Sequence, residues 1–430
     1  MFNNTKNNKS SLRKSLFMLA STLAIASPYT FSGEQVRVSW DKNPSTEAVV
    51  GFNADEADYL LLGSTTNESQ WQQYSTSVQR QFRNSSSLVS NFIRVSQLTP
   101  DAEYYFRLCS NANGCTGQLY YFKTAPASPR NMTVVSGGDS RSSYSGRLEG
   151  NRLVAKIRPD YITFGGDYTN NNGAGDMATW LDHWQATFSV DQIDGKTFNR
   201  VSPIIPTFGN HEAGNVNTLC EAFGTDPDGD QQCTKQDNFY AMNIGGSQTR
   251  IYTLNTEYKS DATWWTLQKD WLLNDLAGNG AQAHWRVGQY HRSMIPTGGG
   301  KSSYSAIREW SPMFRDGNMN LIVESDTHIV KYTHPVLPDG SSYIKANSGT
   351  VYLGEGSWGV GTRSTDTPKD WLVDNASFKQ FKVIQYNGAQ IQVRTVKFSG
   401  ESSTGSVSRA QRAADPLALP SGLLLWDPAG

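Results

Sequence analysis

From residue 131 onward the chain alternates apolar runs of strand length with amphipathic stretches of helical length, and most of the apolar runs end on Asp, Asn or His. NMTVVSGGD, PDYITFGGD, SPIIPTFGNHE, TRIYTLNTEY, HWRVGQYHR and NLIVESDTH read as strands. GRLEGNRLVAKI, MATWLDHWQATF, WWTLQKDWLLNDLAG and SAIREWSPMF read as helices. A β-α-β series of this kind forms a largely parallel sheet with right-handed crossovers. Its ligands gather beyond the carboxyl ends of the strands. Asp139, Asp167, Asn210, His211, His291, Asp326 and His328 all fall there.

Taken singly, an Asp or Asn at a strand end is a turn or cap residue. Together, carboxylates, an amide oxygen and imidazoles make a donor set for divalent or trivalent metals of borderline hardness. A carboxylate between two ions can bridge them, and such two-metal sites clamp phosphoryl oxygens during in-line displacement.

The region before residue 131 has a different period. Residues 33–126 alternate apolar and polar positions in short runs (Val36, Val38, Trp40; Tyr59, Leu61; Phe92, Ile93, Val95; Tyr104, Phe106, Leu108) separated by Asn/Ser-rich loops. That is the pattern of a β-sandwich. LTPDAEYYFRL (98–108) resembles the corner before a late strand of a fibronectin type III domain, and TAPASPRN (124–131) reads as a Pro-rich linker. Residues 131–399 form the second domain and 400–430 a C-terminal tail, in which LPSGLLLW (419–426) is too short to cross a membrane.

Lys6, Lys9, Arg13 and Lys14 precede the apolar stretch LFMLASTLAIA, with a small-x-small site at Ala24–Ala26, so residues 1–26 read as a signal peptide and the protein as secreted or periplasmic. The four cysteines fall into two close pairs, Cys109/Cys115 and Cys220/Cys233, as expected of two disulfides in an exported chain. A zinc site is the competing reading, but neither pair has CxxC spacing. With a net charge of −1 and no basic tract beyond the N-terminus, nucleic acid is not an expected partner, and no stable membrane span is expected either.

GGDS (137–140), GGDY (165–168), GNHE (209–212), YHRSM (290–294) and SDTH (325–328) stand in the order and approximate spacing of the calcineurin-like metallophosphoesterases, and QKDWLLNDLA fits the helix before their fourth motif. With a fibronectin-like domain ahead of it, the chain most resembles the purple acid phosphatases. The resemblance implies a four-layer α/β/β/α sandwich and an acid-phosphatase-like hydrolase of phosphate monoesters. It would act through a metal-bound hydroxide on a phosphorylated small molecule or other phosphoester. Two metal ions, drawn from Fe, Mn, Zn or Mg, are implied as cofactors. Asp139 and His328 would bind the first metal, Asp167 would bridge both, and Asn210 and His291 would bind the second. His211 would stabilise charge or protonate the leaving group. A phosphodiesterase or nucleotidase on the same site, and a catalytically degenerate binding protein, are the alternatives.

Three positions depart from the family pattern. Asn170 stands where purple acid phosphatases carry a tyrosine three residues after the bridging Asp. Arg141 stands where their relatives carry a His, and it is a candidate to reach the substrate phosphate. The last motif is Asp326-Thr327-His328 rather than His-x-His. Losing the tyrosinate and gaining Asp326 keeps three anionic ligands (Asp139, Asp167, Asp326) while moving one toward the second metal. A carboxylate there favours harder ions such as Mn, Fe, Mg or Ca. The tryptophans at 180, 184, 264, 265 and 271 have helical spacing and read as core.

Overall fold

The computed structural model describes residues 33–426; the expected signal peptide lies outside them. Residues 33–126 form two facing antiparallel layers. One holds the strands Arg37–Ser39, Ala48–Asn53, Val89–Val95 and Val78–Gln81, and the other holds Tyr59–Gly63, Gln72–Ser75, Glu103–Ser110 and Tyr120–Lys123. The Tyr104 hydroxyl accepts the Thr99 backbone N–H at 2.8 Å, which ties the corner before its strand.

The β-α-β portion is distributed over two sheets. In the first, Met132–Gly137, Tyr161–Phe164 and Ile204–Pro206 run parallel, with Gln380–Asn387 and Gln390–Lys397 added antiparallel at one side. In the second, Thr249–Thr253, Trp285–Arg292, Leu321–Ser325 and Val351–Gly354 run parallel. Alternation along each strand decides what lies where. Val134, Ile205, Ile251, Val287, Val323 and Leu353 pack between the sheets. Val135, Ile162 and Phe164 face outward onto the helices Tyr144–Ile157 and Ala174–Trp184, through Leu153, Val154, Trp180 and Trp184. Tyr252, Tyr290 and Ile322 face outward onto Ala262–Ala277 and Trp310–Asp316. Helices, sheet, sheet, helices: the molecule has the expected four layers. Trp180, Trp184 and Trp265 are buried, and Trp264 and Trp271 pack against the outer cluster, so all five serve the core.

The two regions are joined by hydrogen bonding as well as by the linker. Arg37–Ser39 pairs in parallel with Ile204–Pro206, making one ten-stranded sheet through both. Lys196–Arg200 likewise pairs in parallel with Tyr120–Lys123. The tail docks through Leu425–Trp426, which pairs with Gln390–Lys397, while Leu419 and Leu423 pack on the outer core. Both cysteine pairs are disulfides, Cys109–Cys115 and Cys220–Cys233, which removes the zinc reading. No described helix is long and apolar enough to cross a membrane.

Candidate metal centre

All the strand-end residues converge at one edge of the two sheets. Asp139 follows Met132–Gly137, Asp167 follows Tyr161–Phe164, Asn210 and His211 follow Ile204–Pro206, His291 is the penultimate residue of the strand Trp285–Arg292, and Asp326 and His328 follow Leu321–Ser325. Asp139, Asp167 and His291 are fully buried and each offers a donor atom within 4.8 Å of the others.

The donors sort into two sets around Asp167. On one side His328 Nε2 is 3.1 Å from Asp139 Oδ1, an oxygen that is buried without a hydrogen bond. On the other, His291 Nε2 lies 3.1 Å from Asn210 Oδ1 and 3.8 Å from Asp326 Oδ1. Asp167 Oδ1 is 3.3 Å from His291 Nε2. His291 Nδ1 meets the Gly165 carbonyl at 2.8 Å, and a donor there leaves Nε2 to face the carboxylates. Burial opposes charge on His291, but Asp167 and Asp139 raise it to about 10. Asp167 is pushed upward by burial, yet the His291 and His211 imidazoles hold it well below the usual carboxylate range.

This donor set fits metal ions. The amide oxygen of Asn210 stands 3.0 Å from Asp326 Oδ1, so two acceptors face one another. They repel unless a cation lies among them or the amide turns over. The orphaned Asp139 Oδ1 makes the same point on the other side.

Cationic side chains rim the cluster. Arg141 Nε is 3.0 Å from Asp167 Oδ2, and another guanidinium nitrogen is 3.2 Å from His328 Nε2. Lys301 Nζ is 2.7 Å from Asp326 Oδ1, and an Arg292 nitrogen is 3.7 Å from Asp326 Oδ2. His211 Nδ1 meets the Asn170 carbonyl at 2.5 Å, and its Nε2 is 3.7 Å from Asp167 Oδ2. Asn170 is a rim residue: its side-chain oxygen takes the Ser142 hydroxyl at 2.8 Å. Tyr168, the nearest substitute for the missing tyrosine, is turned away and donates to the Thr207 carbonyl at 2.9 Å.

Several supports were not legible in sequence. Glu212 is fully buried; one carboxylate oxygen accepts the Asp167 and Gly209 N–H groups at 2.8 Å each, fixing Asp167 and the Asn-His turn together. Burial and the charge of Asp167 push Glu212 up to about 8. Gly356 lies directly on Asp139, where an added Cβ would be 2.0 Å from Oδ2. The acidic neighbour within GNHE and the glycines of GEGSWG were the available signals. Lys301 had none, because it stands in no recognisable pattern, and Arg292 was visible only as the residue after His291 in YHRSM.

Residues 145–330 match the sequence model of the calcineurin-like phosphoesterases, and residues 33–124 match that of the purple acid phosphatase N-terminal domain. Residues 145–330 form a calcineurin-like phosphoesterase domain. The chain is a metal-dependent phosphoester hydrolase. Two solved structures share the phosphoesterase's fold. Purple acid phosphatase PPD1 from yellow lupin (Lupinus luteus) seeds is 15% identical, with a TM-score of 0.69 over 85% of this chain and 72% of that one. PhoD is 13% identical, with a TM-score of 0.61 over 88% of this chain and 92% of that one. No curated protein matches the chain in sequence.

Proposed function

We propose that the phosphoesterase is an exported hydrolase of phosphate monoesters that works with two bound metal ions. The observation that carries this reading is the rim: Arg141, Lys301 and Arg292 all approach the metal-ligating carboxylates. A dianionic monoester presents more terminal charge than a diester, and guanidinium and ammonium groups suit it. Export is supported by the two disulfides, which belong to oxidising compartments.

Asp139 and His328 would hold one ion, and Asn210, His291 and Asp326 the other, with Asp167 shared. When bound, the ions lower the pKa of coordinated water and neutralise charge on the phosphoryl group. The side chains do the rest. Arg141 is placed to bind a phosphoryl oxygen and so orient the ester. His211, held at Nδ1 by the Asn170 carbonyl, presents Nε2 to donate a proton to the leaving oxygen. Glu212 keeps Asp167 and the Asn210-His211 turn in register.

The test is hydrolysis of a chromogenic monoester and its diester across a panel of Fe, Mn, Zn, Mg and Ca, with Arg141→Met alongside. Monoester preference in the wild type, with a larger KM and a reduced preference in Arg141→Met, is the expected result. Equal or faster diester turnover would overturn the monoester assignment.

A further inference from the structure

A second group of acidic side chains lies apart from the metal centre, in the loop closed by the Cys220–Cys233 disulfide. Asp226, Asp228 and Asp237 each offer a carboxylate oxygen within 4.8 Å of the others. Asp237 is 1% exposed. Its Oδ2 accepts the Thr234 N–H at 2.7 Å, but its Oδ1 is buried with no hydrogen-bond partner. A buried carboxylate oxygen without a donor is costly unless a cation meets it.

The spacing gives the unpartnered oxygen a meaning. In DPDGDQQCTKQD, Asp226, Asp228, Asp230, Gln232, Thr234 and Asp237 occupy positions 1, 3, 5, 7, 9 and 12 of a twelve-residue stretch. Those are the ligand positions of an EF-hand calcium loop, with Asp in place of Glu at position 12. Position 6, where that loop requires glycine for its sharp turn, is Gln231, and it takes the glycine-like φ of 60°. The helix Thr218–Phe223 precedes the loop and the 3-10 turn Lys235–Asn238 overlaps its end. The long paired helices of an EF-hand are missing, so the likeness is confined to the loop.

We propose that residues 226–237 bind a calcium ion through Asp226, Asp228, Asp230 and Asp237. Among the described residues none of these four forms an ion pair with lysine or arginine. Two guanidinium groups reach the loop, but at its backbone: Arg94, paired with Asp41 at 2.6 Å and with Glu47 at 3.8 Å, donates to the Asp226 carbonyl, and Arg80 donates to the Gln231 carbonyl. Burial, with Asp228, Asp226 and Asp230 nearby, pushes Asp237 up to about 7. An all-oxygen set on an adaptable loop suits calcium, whereas magnesium demands near-ideal octahedral geometry and keeps its water. The site also has a mechanical consequence. The Asp226 N–H donates to Asp41 Oδ2 at 2.7 Å, so an ion in the loop fixes a contact between the N-terminal sandwich and the catalytic sheets.

The experiment is thermal unfolding and calcium binding of the disulfide-intact protein, titrated with calcium alone or magnesium alone up to a few millimolar. Wild type should gain several degrees in Tm with calcium and less with magnesium. Asp228→Asn and Asp230→Asn, both at exposed positions, should lose that gain and one bound calcium per chain while keeping phosphoester hydrolysis. Asp167→Asn, which disables the metal centre, should keep the gain, separating this site from the catalytic one. A wild type indifferent to calcium, loop variants that respond as the wild type does, or a gain lost in Asp167→Asn would each overturn the proposal.

Discussion

Four residues of the metal centre hold a left-handed backbone: Asp139 (φ 60°), Asp167 (57°), Asp326 (70°) and His328 (62°). None is glycine, and such a conformation is uncommon for residues with a Cβ. Strain of this kind persists where surrounding structure imposes it, and here it lets chains leaving different strands return their side chains to one point. The partition of donors around Asp167 predicts separable losses. Asp326→Ala should release mainly the ion shared with Asn210 and His291, and His328→Ala mainly the ion beside Asp139, as elemental analysis of each variant would show. If both variants lose the same ion, the assignment of donors to two sets is wrong. A second residue-scale prediction concerns colour. In the purple acid phosphatases that this chain resembles, colour comes from an iron-bound tyrosinate. Asn170 cannot supply one, and Tyr168 is committed to the Thr207 carbonyl. The iron-loaded protein should therefore lack an intense visible band, and a strong band would show that a tyrosine reaches the iron. The residues brought together at the centre were legible in the sequence, because strand-end position and chemical type coincide at each. The guanidinium of Arg141 lying on Asp167, and the approach of Lys301 to Asp326, were not. Long flexible side chains carry no periodic signal, and their placement is settled by tertiary charge alone.

At the scale of elements, the segment Gly354–Gly359 acts as a wall behind the centre. The His328 N–H donates to the Glu355 carbonyl at 2.7 Å, and the Gly359 N–H to the Asp139 carbonyl at 2.9 Å. Gly356→Ala would put a Cβ onto Asp139 Oδ2 at a position whose φ is 82°. If Asp139 holds an ion as proposed, displacing its carboxylate by about 1 Å should cost turnover on the order of 100-fold. Measured kcat and ion content should fall together; unchanged kcat would mean that Asp139 is free to move. The strand Gln380–Asn387 carries a different cost. Lys382 is 1% exposed, donates to the Thr395 hydroxyl at 2.8 Å, and is lowered by burial to about 7. Its folded pKa lies below the unfolded value, so the unfolded chain binds more protons between about pH 7 and 10.5, and stability rises with pH across that window. Lys382→Met should therefore raise stability most near or below pH 7, with the gain shrinking toward pH 10.5 in denaturant titrations. A pH-independent gain would show that the lysine is not desolvated. Strand and helix identities here followed from apolar period, whereas the division of the parallel strands between two facing sheets did not. Alternation shows that a strand has two covered faces, but not which sheet it joins.

At the scale of the whole molecule, the sandwich and the catalytic layers share a sheet through Ser39 and Ile204, and the Arg37 guanidinium donates to the Ala222 carbonyl at 2.8 Å. One cooperative thermal transition is expected, and a fragment lacking residues 33–126 should be insoluble, because it exposes the edge of Ile204–Pro206. Two resolved transitions in calorimetry would show instead that the regions unfold separately. A linker is visible in TAPASPRN, but parallel pairing across it joins strands from distant parts of the chain, and local patterns do not report such partners. All of this architecture brings seven strand-end residues to one place, and the proposed consequence is metal-dependent phosphoester hydrolysis with Asp167 shared between two ions. The most direct measurement is ion content per chain together with monoester turnover in wild type and Asp167→Asn. The variant should hold two fewer ions than wild type and lose turnover, since a neutral amide cannot balance two adjacent cations. Near-normal turnover with an unchanged ion count in Asp167→Asn would contradict the account.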